Sequence, residues 1–381
     1  MLQEVEKMKE SNEALKEYGI LIALIVITIF LSIITGGDFC SPRNLTNLAR
    51  QVTFIGILAV GVTMVILLGE IDLSVGSLVA VTGVVAALAQ VAGWGVVLTV
   101  FVALLVGAVL GIWNGYWISK YKIHSFIITL GMMVIARGLA LILAKGASVG
   151  PTTEAFRKLG GASIPPLLSA LLIFACFLLW LGGIFYGRKK QKEYGFALPG
   201  RFQEIEKIII GTLVFLFIGW IFYSYEGIPL PVVIFALITL AGIFVLDNTP
   251  FGRHLYAIGG NIEASRLAGI NVDRVKFIVF VITALLSAVS GILLTSRLDG
   301  ATPATLGLMY ELDTIASVVI GGTSLSGGSG HISKTIIGTF LIGTLSNGMS
   351  LKGIPTIWQY VVKGLIITFA AWFDARTKKQ H

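Results

Sequence analysis

Charged residues are scarce in this sequence: only 13% of its 381 residues are Asp, Glu, Lys or Arg, whereas 56% are hydrophobic. Soluble domains carry about 25% charged residues, so the deficit excludes an ordinary soluble domain. The 45 glycines agree with a polytopic membrane protein, because glycine lets membrane helices approach closely. The net charge of +8 does not indicate a nucleic-acid partner, since basic residues in membrane proteins first fix orientation.

Residues that form disulfides or bind metals and phosphates are also few. The two cysteines, Cys40 and Cys176, fall in a loop and within an apolar run, so we expect no disulfide. The four histidines lie far apart, so we expect no metal site and no cofactor in this chain. The phosphate-binding sequence G-x-x-x-x-G-K-[ST] does not occur, so any ATP used here must bind, with its magnesium, to another subunit.

Long uncharged runs are abundant. A helix needs about 20 apolar residues to cross the hydrocarbon core of a bilayer. The runs predict an all-α polytopic bundle of about twelve transmembrane helices within residues 18–373. The predicted spans are 18–37, 51–69, 73–119 (two spans, divided at Gly93-Trp94-Gly95), 123–144, 159–187, 208–225, 227–246, 277–296, 314–333, 335–351 and 353–373.

Lysine and arginine predict the orientation, because they are enriched in cytoplasmic loops. Alternation from a cytoplasmic N-terminus places nineteen basic residues inside and seven outside, with Arg137 and Lys363 within spans. We therefore expect a multi-pass protein of a bacterial or archaeal cell (inner) membrane, with both termini, residues 1–17 and 374–381, in the cytoplasm. The polar first residues carry no cleavable signal, so the first span is expected to serve as its own anchor.

One polar stretch, residues 247–276, is predicted to be a cytoplasmic loop between two spans. A helix there with both signs of charge has no lipid to contact, so we expect it to touch another protein at the membrane surface. Asn261 is placed to cap a short helix, and Gly269 is placed to end it.

The apolar residues of this stretch allow two interpretations. Ile262, Leu267 and Ile270 could fill a groove on a partner, with Glu263 and Arg266 on its rim. Alternatively, the stretch is a structured loop that packs against its own bundle. The first interpretation predicts a coupling surface, and the second predicts only a connection between spans.

Polar residues beside or within spans are candidates for a translocation path. Residues 69–77 interrupt the apolar pattern, and carboxylates next to membrane spans are costly unless paired or hydrated. This run is either a broken helix end lining the path or a cytoplasmic turn in which Asp72 or Ser74 caps the next helix. The path candidates are Glu70, Asp72, Ser74, Asn114 and Arg137.

Three of the polar residues keep alternative roles. Asn114, between Trp113 and Trp117, belongs either to an interfacial aromatic belt or to a hydrogen bond in the path. Arg137 and Lys363, deep in spans, are either functional or paired for structure.

The sequence also contains a glycine-rich run and a short repeat. Residues 321–330 resemble a phosphate loop but lack its lysine, so they predict a tight turn with close helix packing. The triplets at 70–72 (EID) and 311–313 (ELD) echo each other on predicted opposite sides of the membrane. Inverted repeats occur in transporters, although three residues are a short signal.

Four runs make the chain similar to a known family: GEIDLSVGS (69–77), FGRHLYAIGGNIEASRLAGINVDRVK (251–276), ELDTIASVVIGGTSLSGG (311–328) and WQYVVKG (358–364). Together they resemble permease subunits of carbohydrate ABC importers that serve ribose, xylose and related sugars. The resemblance covers most of the chain from Asn44 onward. YEGIPLPVV (225–233) and an extra hairpin, roughly 167–226, resemble the xylose-transporting members.

The resemblance implies a type II ABC importer bundle with an extra hairpin. It implies four kinds of partner: an ABC ATPase pair, an extracytoplasmic sugar-binding protein, a second copy of the chain or a related permease, and membrane lipid. It also implies that an E-A-x-x-x-G-like segment docks into the ATPase, and Glu263, Ala264 and Gly269 match it with a longer spacing. With the capping residue Asn261 and the rim residue Arg266 added, the residues assigned to coupling are Asn261, Glu263, Ala264, Arg266 and Gly269.

The expected function is therefore that of a transport subunit, not an enzyme, for a pentose such as D-xylose. Import of another monosaccharide or of a signalling sugar is the first alternative. A second is a secondary transporter coupled to ions through Glu70, Asp72 and Arg137. A membrane enzyme would need a cluster of aspartates or a His/Asp site, and the only pair is Glu70 with Asp72.

Overall fold

The structure, a computed structural model, describes residues 19–195 and 200–378. The prediction for residues 1–17, and that for the last three residues of the C-terminal segment 374–381, lie outside them. The helices are α1 (Gly19–Ile34), α2 (Pro42–Leu67), α3 (Val75–Val91), α4 (Val96–Lys120), α5 (Ser125–Leu143), α6 (Glu154–Gly161), α7 (Pro166–Glu193), α8 (Arg201–Ser224), α9 (Leu230–Asn248), α10 (Pro250–Gly260), α11 (Ile262–Leu267), α12 (Val272–Leu298), α13 (Tyr310–Ile320), α14 (Ile332–Leu351) and α15 (Thr356–Lys378). Two short antiparallel strands, β1 (Ser163–Ile164) and β2 (Ile228–Pro229), pair with each other.

The all-α membrane bundle predicted from the sequence is confirmed. Seven of the described helices are long and apolar enough to cross a membrane, namely α2, α4, α5, α7, most of α8, α9 and α12. The predicted break at residues 93–95 is also confirmed, because α3 ends at Val91 and α4 begins at Val96. Gly93 adopts a φ of 81° in that turn, a conformation that glycine accepts without strain.

The centre of the bundle is formed by α2 and α12. In the most apolar window of each helix, 83% of α2 and 61% of α12 are buried, against 22% of α4. Small residues bring the helices together: Cβ atoms added at Gly107 and Gly111 of α4 would meet Ala288 and Ala284 of α12. The core therefore depends on close backbone approach around these two helices.

Contacts divide the bundle into two ends. At the end that carries α10 and α11, here called the near end, Gly328 in the loop after α13 donates its N–H to the carbonyl of Leu67, which ends α2. At the opposite, far end, Arg50 near the start of α2 pairs with Glu226 at 3.1 Å. These contacts place the end of α2 with the loop after α13 at one end, and the start of α2 with the loop before α9 at the other. Which end faces the cytoplasm stays a prediction.

The tenth predicted span, 314–333, is wrong as a continuous helix. The helix α13 has only 11 residues, which is about 16 Å or half of a bilayer's hydrocarbon core. The glycine-rich turns that follow it, residues 321–331, lie at the near end. The far half of this crossing is made by residues 299–309, which are not helical.

The hairpin of α7 and α8 stands apart from the core. Only 6% of the most apolar window of α7 is buried, and 11% of that of α8. At the far end β1 and β2 connect the hairpin to the bundle, and Arg50 of α2 also bonds to Ser163 at 2.7 Å. The hairpin is therefore tied mainly at one end and exposes most of its length.

Candidate coupling face and translocation segments

The near-end helix α11 is built as the sequence predicts. The side chain of Asn261 accepts the N–H of Ala264 at 2.9 Å, so it caps the helix. Gly269, with a φ of 83°, ends it. Glu263 and Arg266 form an ion pair at 3.0 Å across one turn, and the Glu263 side chain is 74% exposed. The surface of α11 therefore offers one acidic and one basic group to a partner.

The predicted apolar contacts of this segment are only partly right. Leu267 is 90% exposed, as expected of a residue that waits for a partner. Ile262 and Ile270, in contrast, pack against the bundle's own near-end core, which includes Leu255 and Val275. The prediction that these two isoleucines fill a partner's groove is therefore wrong, because they attach α11 to its own chain.

A junction of glycines joins the coupling segment to the bundle. A Cβ on Gly259, near the end of α10, would overlap the Leu67 carbonyl and the Gly328 N–H, which bond to each other at 2.9 Å. Tyr256 of α10 donates its hydroxyl to the Gly330 carbonyl at 2.8 Å, and burial raises the pKa of this phenol. The last turn of α10 therefore touches both α2 and the loop after α13. The predicted turn with close packing at 321–330 is confirmed.

The path candidates that follow α2 belong to two separate groups, an ion pair and a set of hydrogen-bonded residues. Glu70 pairs with Lys276 at the start of α12, and both side chains are about 15% exposed. Ser74 donates its N–H to Asp72 Oδ1 at 2.8 Å and its hydroxyl to the same atom at 2.6 Å. Asn114 of α4 donates to the Ser74 hydroxyl at 3.1 Å. The three residues Asp72, Ser74 and Asn114 are buried, so their proposed role in the path stays a prediction.

The structure also tests the prediction that Asp72 or Ser74 caps α3. Ser74 immediately precedes the helix, but its side chain accepts no N–H from the first turn of α3. Asp72 receives the Ser74 N–H instead, which fixes the turn that leads into α3. The unbonded oxygens Asp72 Oδ2 and Asn114 Oδ1 are both buried at this point.

Arg137 holds the non-helical half of the tenth crossing. It is the thirteenth residue of α5, about 18 Å from the start of that helix. Its guanidinium donates to the carbonyls of Pro303 and Leu306 at 2.7 and 2.8 Å. Residues 299–309 therefore descend from the far end to the middle of the bundle, where Arg137 satisfies two of their backbone acceptors.

The repeated triplets converge instead of lying on opposite sides. Glu311, in the first turn of α13, lies against Gly76 in the first turn of α3. It also lines, with Arg137 and Ser77, a groove of about 420 Å³ between α5 and α13. The expectation that the 70–72 and 311–313 triplets lie on opposite sides is therefore wrong, because each precedes or opens a helix that begins inside the bundle.

Lys363 has a structural partner that the sequence did not assign. Its ammonium lies 2.7 Å from Asp313 Oδ2, and the two side chains are 16% and 6% exposed. Part of the signal for this pair was present, since Lys363 falls inside one predicted span, Asp313 directly precedes another, and opposite charges at such positions pair. The same argument did not assign Glu311 or the backbone acceptors of Arg137, which are over 160 residues distant in sequence.

A second polar cluster closes the far end of α12. Asp299 accepts the N–H and the hydroxyl of Thr152 at 2.8 and 2.9 Å, and it pairs with Arg157 at 3.2 Å. These bonds, first the one from the Thr152 backbone, lower the pKa of Asp299. Val149 and Ala301 exchange two backbone hydrogen bonds beside it. The far-end loops are therefore fastened to one another.

Comparisons with known proteins agree with this architecture. Residues 44–371 match the family described as "Branched-chain amino acid transport system / permease component". The chain is 40% identical to the xylose transport system permease protein XylH of Escherichia coli K12 over 96% of its length and 93% of the relative's. It is 39% identical to XylH of Haemophilus influenzae, over 98% of this chain and 99% of the relative. The ribose import permease protein RbsC of Bacillus subtilis is 38% identical over 98% of both chains. No solved structure matches the chain.

Proposed function

The chain belongs to the permease-component family named above and is a sugar permease of an ABC importer, and we propose that its sugar is a pentose, D-xylose. The observation that carries the choice of sugar is the 39–40% identity to two xylose permeases over nearly the full length of each chain. The 38% identity to a ribose permease makes ribose, or another monosaccharide, the second candidate.

In this proposal the near end is cytoplasmic and binds the ATPase. Supporting this placement, α11 exposes Glu263, Arg266 and Leu267 although the rest of its segment is packed against the bundle. ATP and magnesium bind to the partner subunits. Closure of the ATPase pair would push α10 and α11, and the junction at Gly259 would pass that push to α2 and to the loop after α13.

The other partners occupy the remaining surfaces. A sugar-binding protein would dock at the far end, where α6 and the loops around Asp299 are exposed. A second copy of the chain, or a related permease, would complete the bundle within the lipid bilayer. No nucleic-acid partner is proposed. Glu70, Asp72, Ser74, Asn114 and Arg137 remain the proposed path residues, reached when the bundle opens.

The bonding of the charged residues argues against the ion-coupled alternative. An ion-coupled transporter needs titratable groups that exchange ions during the cycle. Here Glu70 is paired with Lys276, Asp72 accepts two bonds from Ser74, and Arg137 is bonded to backbone carbonyls. Glu70 and Arg137 therefore already have structural partners, whereas Asp72 keeps one buried oxygen, Oδ2, without a hydrogen bond.

A reconstituted complex tests both the energy source and the sugar. The permease, its ATPase and its binding protein are placed in proteoliposomes, and ATP hydrolysis and uptake are measured with a panel of aldopentoses and aldohexoses. We expect D-xylose to stimulate both activities most strongly. Stronger stimulation by ribose or another monosaccharide would replace the substrate but keep the importer. Concentration of sugar by the permease alone, without the ATPase, would refute the whole proposal.

A further inference from the structure

The far end contains a cavity of about 590 Å³ between the loop 148–151 and the segment 299–310. We propose that this cavity is a monosaccharide-binding site within a single copy of the permease, and that it receives the sugar released by the binding protein. The proposal rests on the proposed function for the origin of its ligand. Its volume falls within the range of about 300–1,000 Å³ that is usual for small-molecule sites.

The chemistry of the lining selects a neutral polyhydroxyl ligand. The cavity is lined by the hydroxyl-bearing residues Ser148, Thr302 and Thr305 and by the aromatic residue Tyr310, together with three leucines. Hydroxyls both donate and accept hydrogen bonds, as sugar hydroxyls do, and an aromatic ring suits the apolar face of a pyranose. The groove between α7 and α8, about 380 Å³ in volume, is lined mainly by aromatic and aliphatic side chains and lacks this character.

The charged group at the cavity is already satisfied. Asp299 uses one carboxylate oxygen for Thr152 and the other for Arg157, so it is not free to bind a cation. Ser148 and Thr302 bond to each other at 2.8 Å. Thr305, in contrast, has no hydrogen bond from its hydroxyl to any residue that the structure describes. Its hydroxyl is therefore the group most available to a sugar.

The position of the cavity suits transfer toward the middle of the bundle. Its floor is the segment that Arg137 holds through Pro303 and Leu306. Across this segment lies the groove of Arg137 and Glu311, which shares no lining residue with the cavity. One stretch of non-helical chain thus separates a site open at the far end from a groove at mid-depth.

A matched pair of substitutions tests the site through transport. Thr305→Val keeps the shape of the side chain and removes its hydroxyl, whereas Thr305→Ser keeps the hydroxyl. In the reconstituted complex we expect Thr305→Val to lower kcat/KM for uptake about 3- to 10-fold, the effect of one lost hydrogen bond, and Thr305→Ser to stay within about 2-fold of the parent. Equal uptake by Thr305→Val and the parent would overturn the proposal.

Chemical protection tests binding without transport. Thr305→Cys is introduced with Cys40→Ser and Cys176→Ser, and the new thiol is modified with a small water-soluble thiosulfonate reagent in the purified permease. We expect D-xylose to slow modification saturably, with an apparent Kd of about 1 mM or weaker, because a transfer site must also release its ligand. Sorbitol at the same concentration controls for osmotic effects and should not protect.

The two tests separate this site from the proposed substrate. Protection by a different monosaccharide, in a complex that imports that sugar and not D-xylose, would support the site and replace the substrate. Import of D-xylose with no protection up to about 100 mM sugar would overturn the site and leave the proposed function standing. If Thr305→Val fails to fold, judged by size-exclusion chromatography, the protection result decides alone.

Discussion

The central pair α2 and α12 and the hairpin α7–α8 are all apolar enough to cross a membrane, yet they are packed in opposite ways. In α2, 83% of the most apolar window is buried, whereas in α7 it is 6%. The central helices contain glycines that touch neighbouring backbones, while α7 has Gly182 and Gly183 with nothing near them. Hydropathy thus reports which helices enter the membrane, and small residues in contact report which helices form the core.

The bundle and the hairpin also differ in how far their ion pairs are buried. The bundle contains the pair of Asp313 on α13 and Lys363 on α15, which are 6% and 16% exposed. In the hairpin, Arg188 is 38% exposed and pairs with Glu204, which is 12% exposed. Near the first pair, water cannot replace a missing partner. Around Arg188 of the hairpin, water can. Equivalent substitutions in the bundle and in the hairpin therefore test whether burial causes the difference.

The largest difference is expected for the ion pairs. Lys363→Met leaves Asp313 buried without its partner, which should cost about 3–5 kcal/mol of unfolding free energy. Glu204→Gln in the hairpin leaves Arg188, which is 38% exposed, and should cost less than about 1 kcal/mol. SDS unfolding titrations of the purified variants measure both, and adding Asp313→Leu to Lys363→Met should recover much of the loss. Similar costs in the two regions would contradict the difference in burial.

A smaller difference is expected for glycine. A side chain at Gly291 of α12 would meet the Val79 carbonyl oxygen at 2.6 Å and Gly83 of α3, so Gly291→Val should destabilise the bundle by about 1–3 kcal/mol. Gly182→Val in α7 meets no atom within 4 Å. We expect the first variant to lose stability and the second to match the parent in the same titration. A stable Gly291→Val protein would show that α3 and α12 can separate freely.

Substitution of an exposed glutamate is expected to change stability least, although at one of two positions it should impair transport. Glu263 on α11 and Glu193 at the end of α7 are both exposed on helices of the near side. Glu263→Arg should lower uptake at least about tenfold, equal to about 1.4 kcal/mol of coupling, with unchanged insertion and continued ATP hydrolysis. Glu193→Arg is the control and should transport normally. Normal uptake by Glu263→Arg would remove α11 from the coupling role.

Much of the fold was predictable because its signals are local. The uncharged runs overlap helices, the break at 93–95 follows from its glycines, and Asn261 and Gly269 bound α11 as capping rules predict. The prediction of a continuous tenth span failed because the length of an uncharged run cannot show that a crossing is half helix and half loop. Gly321-Gly322 marks the end of α13, but nothing in residues 299–309 indicates that they descend into the bundle.

The candidate site was less predictable because its contacts are distant in sequence. Arg137 was identified as a buried cation, but its partners are backbone carbonyls, which carry no signal in side-chain identity. The Gly259–Leu67–Gly328 junction depends on a close approach of three segments that only the folded chain brings together. Ile262 and Ile270 were misassigned because apolar residues that attach a helix to its own chain look like those that bind a partner.

The non-helical segment 299–309, held by Arg137, limits what can lie beside it in the membrane. Hydrocarbon tails supply no hydrogen bonds, so peptide groups outside a helix at that depth do not lie against them. Beside Arg137 and Glu311, the groove between α5 and α13 must therefore contain water or protein and keep lipid out. One arginine and two carbonyl oxygens thus define a slot, midway through the membrane, that water or protein must fill.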